Sequence, residues 1–194
     1  MTTVLMIASF LIGSIPVGQL LAKSRGIDLR KVGSGNIGAT NVMRAMGKEA
    51  ALLTLLGDMT KGAVAVGIAK ALALGPMYEG LLGLSSILGH NFSPFLKFKG
   101  GKGVATSLGV LTVLSPYVAL FTVILWLLTA KFTKYSSLSA LVAFGFLPLS
   151  FYMIDYSRRK MLIAVAITVL IFIRHLPNIK RLVQGAESKI GEKK

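Results

Sequence analysis

Cysteine is absent from this chain of 194 residues, and histidine occurs only twice. Without cysteine, the protein has neither disulfide bonds nor thiolate chemistry. A metal site would depend mainly on carboxylates, which are scarce, with 7 acidic residues against 22 lysines and arginines. The composition therefore excludes a thiol nucleophile, and no motif in the chain demands a metal or another cofactor.

Hydrophobic side chains dominate what is present. They make up 54% of the residues, and the mean hydropathy of +0.71 exceeds that of an ordinary water-soluble domain. The net charge of +15 does not indicate nucleic-acid binding, because the basic residues stand at the ends of apolar segments. The sequence predicts an integral membrane protein whose basic residues meet anionic lipid headgroups, with no nucleic-acid partner.

The apolar runs predict an all-α fold, a polytopic membrane helix bundle with about seven transmembrane helices. The runs are Val4–Ala22, Ala50–Leu74, Met77–Gly89, Gly103–Leu114, Tyr117–Ala130, Leu138–Ile154 and Met161–Ile173. Several are shorter than the roughly 20 residues that cross a bilayer, so five or six spans, or re-entrant segments, are alternatives. A signal peptide would need a positive start and a cleavage site, so we predict that the first run is a retained helix.

The basic residues also predict the orientation of the bundle. They follow the first, third, fifth and last runs, at Lys23, Arg25, Arg30, Lys31, Arg44, Lys48, Lys97, Lys99, Lys102, Lys131, Lys134, Lys180 and Arg181. These loops should face the cytoplasm, which places the N-terminus outside and the C-terminus inside. One loop disagrees, because residues 155–160 should lie outside yet contain Arg158, Arg159 and Lys160. We expect a single domain over residues 1–187 and a frayed polar tail over 188–194.

The stretch GSGNIGATNVMR, residues 33–44, has few bulky apolar side chains. Glycines let a backbone approach an anion closely, and a short helix over Ala39–Met46 would point its N-terminus at that anion. Arg44 would add a bidentate fork for phosphate or carboxylate. The spacing matches neither nucleotide-binding glycine motif, so it predicts phosphate binding without a nucleotide, and a flexible loop is the alternative. The candidate residues are Gly33, Ser34, Gly35, Asn36, Gly38, Thr40, Asn41 and Arg44.

A second glycine-rich stretch, GHNFSPFLKFKGGKGVAT, covers residues 89–106. We expect its glycines to form a nest of N–H groups around an anion, with Lys102 inside the nest. Lys97 needs no explanation beyond the positive-inside rule. His90 has three open roles, as a general base, a helix-end cap or an anion contact. The candidate residues are His90, Lys99, Gly100, Gly101, Lys102, Gly103 and Thr106.

The third polar cluster is HLPNIKRLVQGAE, residues 175–187. His175 and Asn178 share a helical face unless Pro177 breaks the helix there. Arg181 is a third candidate for binding substrate, and Glu187 is expected to neutralise one of the basic residues and support the site structurally.

Two charged residues stand inside the second apolar run. Asp58 and Lys61 are three positions apart, so they share a helical face. An unpaired charge in a membrane is costly. We therefore predict a structural role for both residues, in an ion pair with each other or with the site.

Together the three polar segments resemble the bacterial acyl-phosphate:glycerol-3-phosphate acyltransferase family, PlsY. The family patterns GSGNxGATNxxR, GHxxPxxxxFKGGKGxAT and HxxNIxRLxxGxE appear here with almost no departure, and in the same order. The resemblance covers nearly the whole chain. It implies a multi-pass enzyme of the bacterial inner membrane with its active site at the cytoplasmic face. That enzyme would transfer an acyl group from acyl phosphate to the sn-1 hydroxyl of glycerol 3-phosphate, giving lysophosphatidic acid and phosphate.

The residue chemistry suits that reaction, because acyl phosphate needs positioning and charge neutralisation rather than a covalent nucleophile. Neither histidine has an aspartate five residues later, since those positions hold Phe95 and Lys180. This excludes the HxxxxD arrangement of other glycerolipid acyltransferases. In our hypothesis, the phosphate group of acyl phosphate is bound by Ser34, Asn36, Thr40 and Asn41. Glycerol 3-phosphate is bound by Arg44, Lys102, His175 and Asn178.

The proton of the attacking hydroxyl has three candidate acceptors, namely His90, His175 and a substrate phosphate, and we favour the phosphate. Alternative functions are an anion or phospholipid transporter, against which the absence of internal repeats counts, and a structural protein that binds acidic partners. The latter leaves the glycines unexplained. The sequence indicates no protein partner.

Overall fold

Residues 1–192 are described by a computed structural model, and helices are the regular structure of that range, with no strand in it. The all-α prediction is confirmed. The helices are α1 Thr2–Ser14, α2 Val17–Ser24, α3 Ala39–Met46, α4 Lys48–Ala71, α5 Pro76–Asn91, α6 Val104–Leu114, α7 Pro116–Thr133, α8 Ser136–Gly145, α9 Leu147–Ser150, α10 Arg158–Arg174 and α11 Leu176–Val183. Short 3-10 turns cover Leu29–Lys31 and Pro94–Leu96, and a wide π-type turn covers Phe151–Asp155.

Prolines stand at two of the breaks between helices. The first run breaks at Pro16, between α1 and α2, because proline has no N–H to donate within a helix. Pro177 stands in the first turn of α11, where the missing N–H is tolerated. At that junction the chain bends by 59° between α10 and α11. At the first break, side chains from other segments reach the backbone, since Lys61 donates to the Ile15 carbonyl and Ser93 to the Ser14 carbonyl.

Three helical segments are long and apolar enough to cross a membrane: Thr2–Ser24, Lys48–Ala71 and Pro116–Thr133. The number is 5 when each of the bent pairs, α8 with α9 and α10 with α11, counts as one span. Helix α6 is too short to cross alone, with 11 residues. A bundle with several spans is thus present, whereas the count of seven and the orientation of the termini stay predictions.

Helices α4 and α6 lie close together because glycines replace side chains at their contact. A Cβ on Gly62 would overlap the Thr106 carbonyl oxygen, and one on Gly109 would overlap the Met59 carbonyl oxygen. Small residues of this kind allow close backbone approach between membrane helices. The contact matters for function because the loop before α6 carries Lys102.

We expect Gly62→Ala to destabilise the protein by about 1–3 kcal/mol, because the added methyl group forces α4 and α6 apart. Gly67→Ala is the matched control on the same helix, since a Cβ there meets nothing within 4 Å. That control should be neutral or stabilise by up to about 1 kcal/mol, from helix propensity. Thermal unfolding of the detergent-purified variants measures both changes. Equal shifts would contradict the close contact.

The polar tail predicted from Ser188 onward is not loose over its first residues. The Ile190 N–H donates to the Lys134 carbonyl at 2.7 Å, and Arg44 Nη2 donates to the Lys189 carbonyl at 3.3 Å. These bonds fix the tail across the start of α8, so the prediction of fraying is wrong for this part. The last two predicted tail residues, 193 and 194, lie outside the described residues.

Candidate active site

The three glycine-rich and polar segments meet around two adjoining cavities. The basic chamber, of about 400 Å³, is lined by Arg30, Lys102, Arg174 and Arg181 among others. The apolar chamber, of about 510 Å³, is lined by polar residues at one side and by Leu52, Leu55, Leu108, Val123, Trp126 and Leu127. Four residues line both chambers: Ser34, Asn36, Lys102 and Asn178. The junction therefore contains a side chain from each of the three predicted segments.

Positive charge is concentrated in the basic chamber. Arg174 donates to the Gly100 and Gly101 carbonyls at 2.9 to 3.1 Å, and Arg30 donates to the Gly35 carbonyl at 3.2 Å and to that of Lys99. These bonds hold both guanidinium groups at the chamber rather than leaving them mobile in solvent. A fixed cationic cavity of this kind suits a phosphorylated ligand.

Lys102 is the cation common to both chambers. Burial lowers its pKa to about 8, the charges of Arg181, Arg174 and Arg44 act in the same direction, and Glu187 opposes them. A lysine with such neighbours binds an incoming anion strongly, because the anion supplies the counter-charge that the protein provides only in part. The structure thus places Lys102 at the junction of the two chambers, and its contact with a ligand stays a prediction.

Asn41 holds the first glycine-rich stretch in shape. Its Oδ1 accepts from the Ser34 N–H at 2.9 Å, and its Nδ2 donates to the carbonyls of Asn36 and Leu29 at 2.8 and 3.2 Å. Both donors of the amide are thus in use within the loop, while Asn41 also lines the apolar chamber, and its contact with a phosphate stays a prediction. Gly33 lies against the Asn41 side chain, in a left-handed conformation, and lines neither chamber.

The rest of that stretch lies where a ligand would contact it. Helix α3 begins and ends at the predicted residues, and Thr40 Oγ1 is 3.1 Å from Ser136 Oγ. Gly35 lines the basic chamber, while Gly38, Thr40 and Arg44 line the apolar chamber. The segment is held by the packing of its buried apolar residues Leu29, Ile37 and Val42, which belong to one cluster.

The predicted nest of N–H groups is wrong for Gly100 and Gly101. Their N–H groups donate to the carbonyls of Asn91 and His90, at 3.1 and 3.0 Å, and so cap the end of α5. A Cβ on Gly101 would overlap the His90 ring, so this glycine serves close packing. Gly100 still lines the basic chamber, and Gly103 lines the apolar chamber in a left-handed conformation directly before α6.

Two other candidates of the second stretch lie away from both chambers. The Lys99 side chain is exposed. Its backbone carbonyl accepts a hydrogen bond from Arg30, which lines the basic chamber. Thr106 is fully buried within α6. Neither residue lines either chamber, so the structure does not bring them to the candidate ligand site.

The third cluster forms a hydrogen-bonded clamp around Glu187. The carboxylate accepts from Asn178 Nδ2 at 2.6 Å, from Ser137 Oγ at 2.7 Å and from Arg181 Nε at 2.7 Å. The predicted neutralisation of a basic residue by Glu187 is therefore confirmed. Burial raises the pKa of this carboxyl, but the three hydrogen bonds and the Arg181 charge outweigh burial and hold it below 4.5.

His175 stands at the bend between α10 and α11 and is 2% exposed. Its Nδ1 lies 2.8 Å from the Ile171 carbonyl oxygen, which can only accept, so Nδ1 carries the proton. In the neutral ring, Nε2 is then the acceptor nitrogen. His175 lines the apolar chamber close to the junction, as its predicted role requires.

The ion pair predicted within α4 is present, with Lys61 Nζ 2.7 Å from Asp58 Oδ1. The same ammonium lies 3.1 Å from His90 Nδ1 and donates to the Ile15 carbonyl at 2.8 Å, at the break before α2. His90 Nδ1 thus accepts from Lys61. Asp58 and His90 line the apolar chamber, whereas Lys61 does not.

Sequence reasoning missed two arginines of the basic chamber. Arg30 was used only as evidence for the orientation of the bundle. Arg174 follows the last apolar run and directly precedes His175. A charge adjoining a candidate motif was the available signal in each case. It also missed Ser136, Ser137 and Trp126, which line the apolar chamber from α7 and α8.

Comparisons with known proteins agree with this arrangement. The family model for glycerol-3-phosphate acyltransferase matches residues 3–185. The glycerol-3-phosphate acyltransferase of Bordetella pertussis is 46% identical, over 100% of this chain and 94% of the relative. That of Sinorhizobium fredii is 48% identical, over 95% of this chain and 90% of the relative.

Two crystal structures of PlsY, an integral membrane glycerol 3-phosphate acyltransferase, share the fold. The glycerol 3-phosphate form superposes with a TM-score of 0.93 at 41% identity, over 98% of this chain and 96% of the other. The lysophosphatidic acid form gives 0.91 at 40% identity, over 98% and 95%. Fold and cavity thus define a multi-pass membrane acyltransferase of phospholipid biosynthesis. The chain belongs to the glycerol-3-phosphate acyltransferase family, PlsY.

Proposed function

We propose that this enzyme transfers a fatty acyl group from acyl phosphate to the sn-1 hydroxyl of glycerol 3-phosphate. The observation that carries the proposal is the junction of a basic chamber with an apolar one, at Ser34, Asn36, Lys102 and Asn178. Two phosphorylated substrates, one with a long alkyl chain, need such a pair of cavities. The PlsY forms with glycerol 3-phosphate and with lysophosphatidic acid support the same acceptor and product.

The proposed reaction is a direct displacement. The sn-1 hydroxyl oxygen forms a bond to the acyl carbon, the bond from that carbon to the phosphate oxygen breaks, and inorganic phosphate leaves. The hydroxyl proton passes to a substrate phosphate, whose second pKa is about 6. His90 is a poor acceptor through Nδ1, because Lys61 already donates to that nitrogen. Lys102 and the arginines stabilise the charge that develops at the acyl oxygen and on the phosphates.

The roles of individual residues follow from their positions. Ser34, Asn36 and Thr40 contact the phosphate of acyl phosphate, with the acyl chain along the apolar chamber. Lys102, His175 and Asn178 bind glycerol 3-phosphate, and Arg44 supports that site from α3. Arg30, Arg174 and Arg181 provide the surrounding positive charge. Asn41, Asp58, Lys61 and Glu187 maintain the shape of the site.

The proposed location is the bacterial inner membrane, with the chambers open to the cytoplasm and seven spans in total. The basic loops on the chamber side of the bundle support this orientation through the positive-inside rule. Glycerol 3-phosphate is water-soluble and acyl phosphate is a lipid, so a site at the membrane surface reaches both.

The proposal is tested with purified enzyme, palmitoyl phosphate and glycerol 3-phosphate, by measuring lysophosphatidic acid and released phosphate together. We expect equal amounts of the two products. Palmitoyl-coenzyme A serves as the alternative donor and should give no lysophosphatidic acid. Equal use of the thioester would refute the acyl phosphate assignment, and lipid movement without any acyl transfer would favour a transporter instead.

The pKa of Lys102 predicts a pH dependence. Because this pKa is about 8, the ammonium is charged below that pH and neutral above it. We expect kcat/KM, which reports the free enzyme, to fall about tenfold per pH unit on the alkaline side of this value. Lys102→Arg should abolish this decline, because arginine stays charged. An unchanged alkaline limb in the variant would show that another group titrates.

A further inference from the structure

The loop at residues 155–160, basic against the positive-inside rule, lies at the far end of the bundle from the chambers. Helix α8 starts at Ser136, which lines the apolar chamber, and α10 ends at Arg174, which lines the basic chamber. The loop joins the opposite ends of these helices. The 17 residues of α10 span about 25 Å, which is close to the thickness of the hydrocarbon core.

Two of the cations in this loop have no acidic partner among residues 1–192. Lys160 Nζ lies 3.0 and 3.1 Å from the two Asp155 oxygens, so that pair is neutral. Arg158 and Arg159 are exposed, and no acidic side chain of residues 1–192 lies within 4.0 Å of either guanidinium. All three cations occupy the first turn of α10, which holds no acidic residue.

Cations in the first turn oppose the helix dipole, which is positive at that end. Such an arrangement destabilises the helix, and an anion bound beside the first turn would offset that cost. The two arginines thus create a local positive potential that the protein itself does not neutralise.

Two exposed tyrosines precede the arginines in the chain. Tyr152 is 66% exposed and Tyr156 is 82% exposed, and both follow the exposed apolar side chain of Leu149. Tyrosine is enriched at the level of lipid headgroups, where its ring meets hydrocarbon and its hydroxyl meets water. Aromatic rings beside unpaired arginines fit a phospholipid headgroup better than a soluble anion.

We propose that the segment Tyr152–Arg159 binds the phosphate of an anionic glycerophospholipid in the leaflet opposite the chambers. Arg158 and Arg159 bind the phosphate, and Tyr152 and Tyr156 lie against the glycerol and upper acyl region. The bound lipid supplies the negative charge that the first turn of α10 lacks. It also explains how a basic loop is tolerated on the side that the positive-inside rule disfavours.

The test titrates the detergent-purified full chain with phosphatidylglycerol and, separately, with phosphatidylcholine, and measures lipid-bound protein by native mass spectrometry. In the double variant Arg158→Gln/Arg159→Gln, the apparent Kd for phosphatidylglycerol should rise by about 30-fold, or about fivefold per arginine. Affinity for phosphatidylcholine should not change. The control Lys131→Gln/Lys134→Gln removes two exposed charges from the chamber end and should change the phosphatidylglycerol affinity little.

Retained phosphatidylglycerol affinity in the arginine variant would overturn the proposal, as would an equal loss in the lysine control. The acyl-transfer rate of both variants serves to show that they are folded, since none of the four residues lines a chamber.

The position of the segment is tested separately by cysteine labelling, which is clean because the natural chain has no cysteine. We expect Tyr156→Cys and Lys131→Cys to react with a membrane-impermeant maleimide from opposite sides of the membrane, in intact and permeabilised spheroplasts. Labelling of both from the same side would refute the assignment to the opposite leaflet.

Discussion

Lys102→Ala is expected to lower kcat/KM by about 30- to 1,000-fold, which corresponds to about 2–4 kcal/mol of transition-state binding. The effect is large because this lysine lines both chambers, so its removal weakens the contacts to both phosphates at once. Steady-state kinetics with palmitoyl phosphate and glycerol 3-phosphate, each varied at fixed concentrations of the other, measure the loss. KM should rise for both substrates, and kcat should fall.

Lys97→Ala is the matched control, because it removes the same charge from the same loop. Its side chain is exposed and lines neither chamber. We expect nearly unchanged kinetics. A similar loss in both variants would mean that the loop acts through its general charge, and a normal rate in Lys102→Ala would remove this residue from the site.

Glu187→Ala is expected to reduce the free energy of unfolding by about 3 kcal/mol. The substitution leaves Arg181, Asn178 and Ser137 without the carboxylate to which they now donate. Thermal unfolding in detergent at neutral pH measures the change. Activity should fall as well, because Asn178 at the chamber junction loses the bond that orients its amide.

Glu192→Ala is the control for Glu187, since Glu192 is an exposed carboxylate of the same C-terminal segment. Its removal should alter stability by about 0.5 kcal/mol or less. The pKa of Glu187 is lower in the folded protein than its ordinary 4.5, so its contribution is complete above that pH. It is lost as the pH falls through the lower, folded-state value. A stability gap between wild type and Glu187→Ala that persists in strong acid would contradict the clamp.

Local signals predicted much of the site. The helix over Ala39–Met46 was expected directly after the glycines, and the Asp58–Lys61 pair followed from helical spacing and the cost of a membrane charge. Both depend only on residues near each other in the chain. The resemblance of the three motifs to one family accounts for their convergence, which spacing alone does not determine.

Long-range backbone bonding accounts for the errors. The glycines at 100 and 101 looked like an anion nest, yet the carbonyls at the end of α5 take their N–H groups. The residues around Gly100 and Gly101 do not indicate that the chain folds back there onto the C-terminal end of α5. Arg174 illustrates the same limit, because its partners are carbonyls 73 and 74 residues away. The break at Pro16 was, in contrast, visible in the sequence and was outweighed by the apolar pattern around it.

The ammonium of Lys61 joins α4 to the break after α1, where it donates to the Ile15 carbonyl, which also accepts from the Val17 N–H. Inserted alone, α4 would carry its ion pair into lipid without the carbonyl partner that the break after α1 supplies. The first segment thus completes the bonding of the second. We therefore expect the translocon to release them into the bilayer together, as a helical hairpin, so that biogenesis of the enzyme begins with a cooperative step.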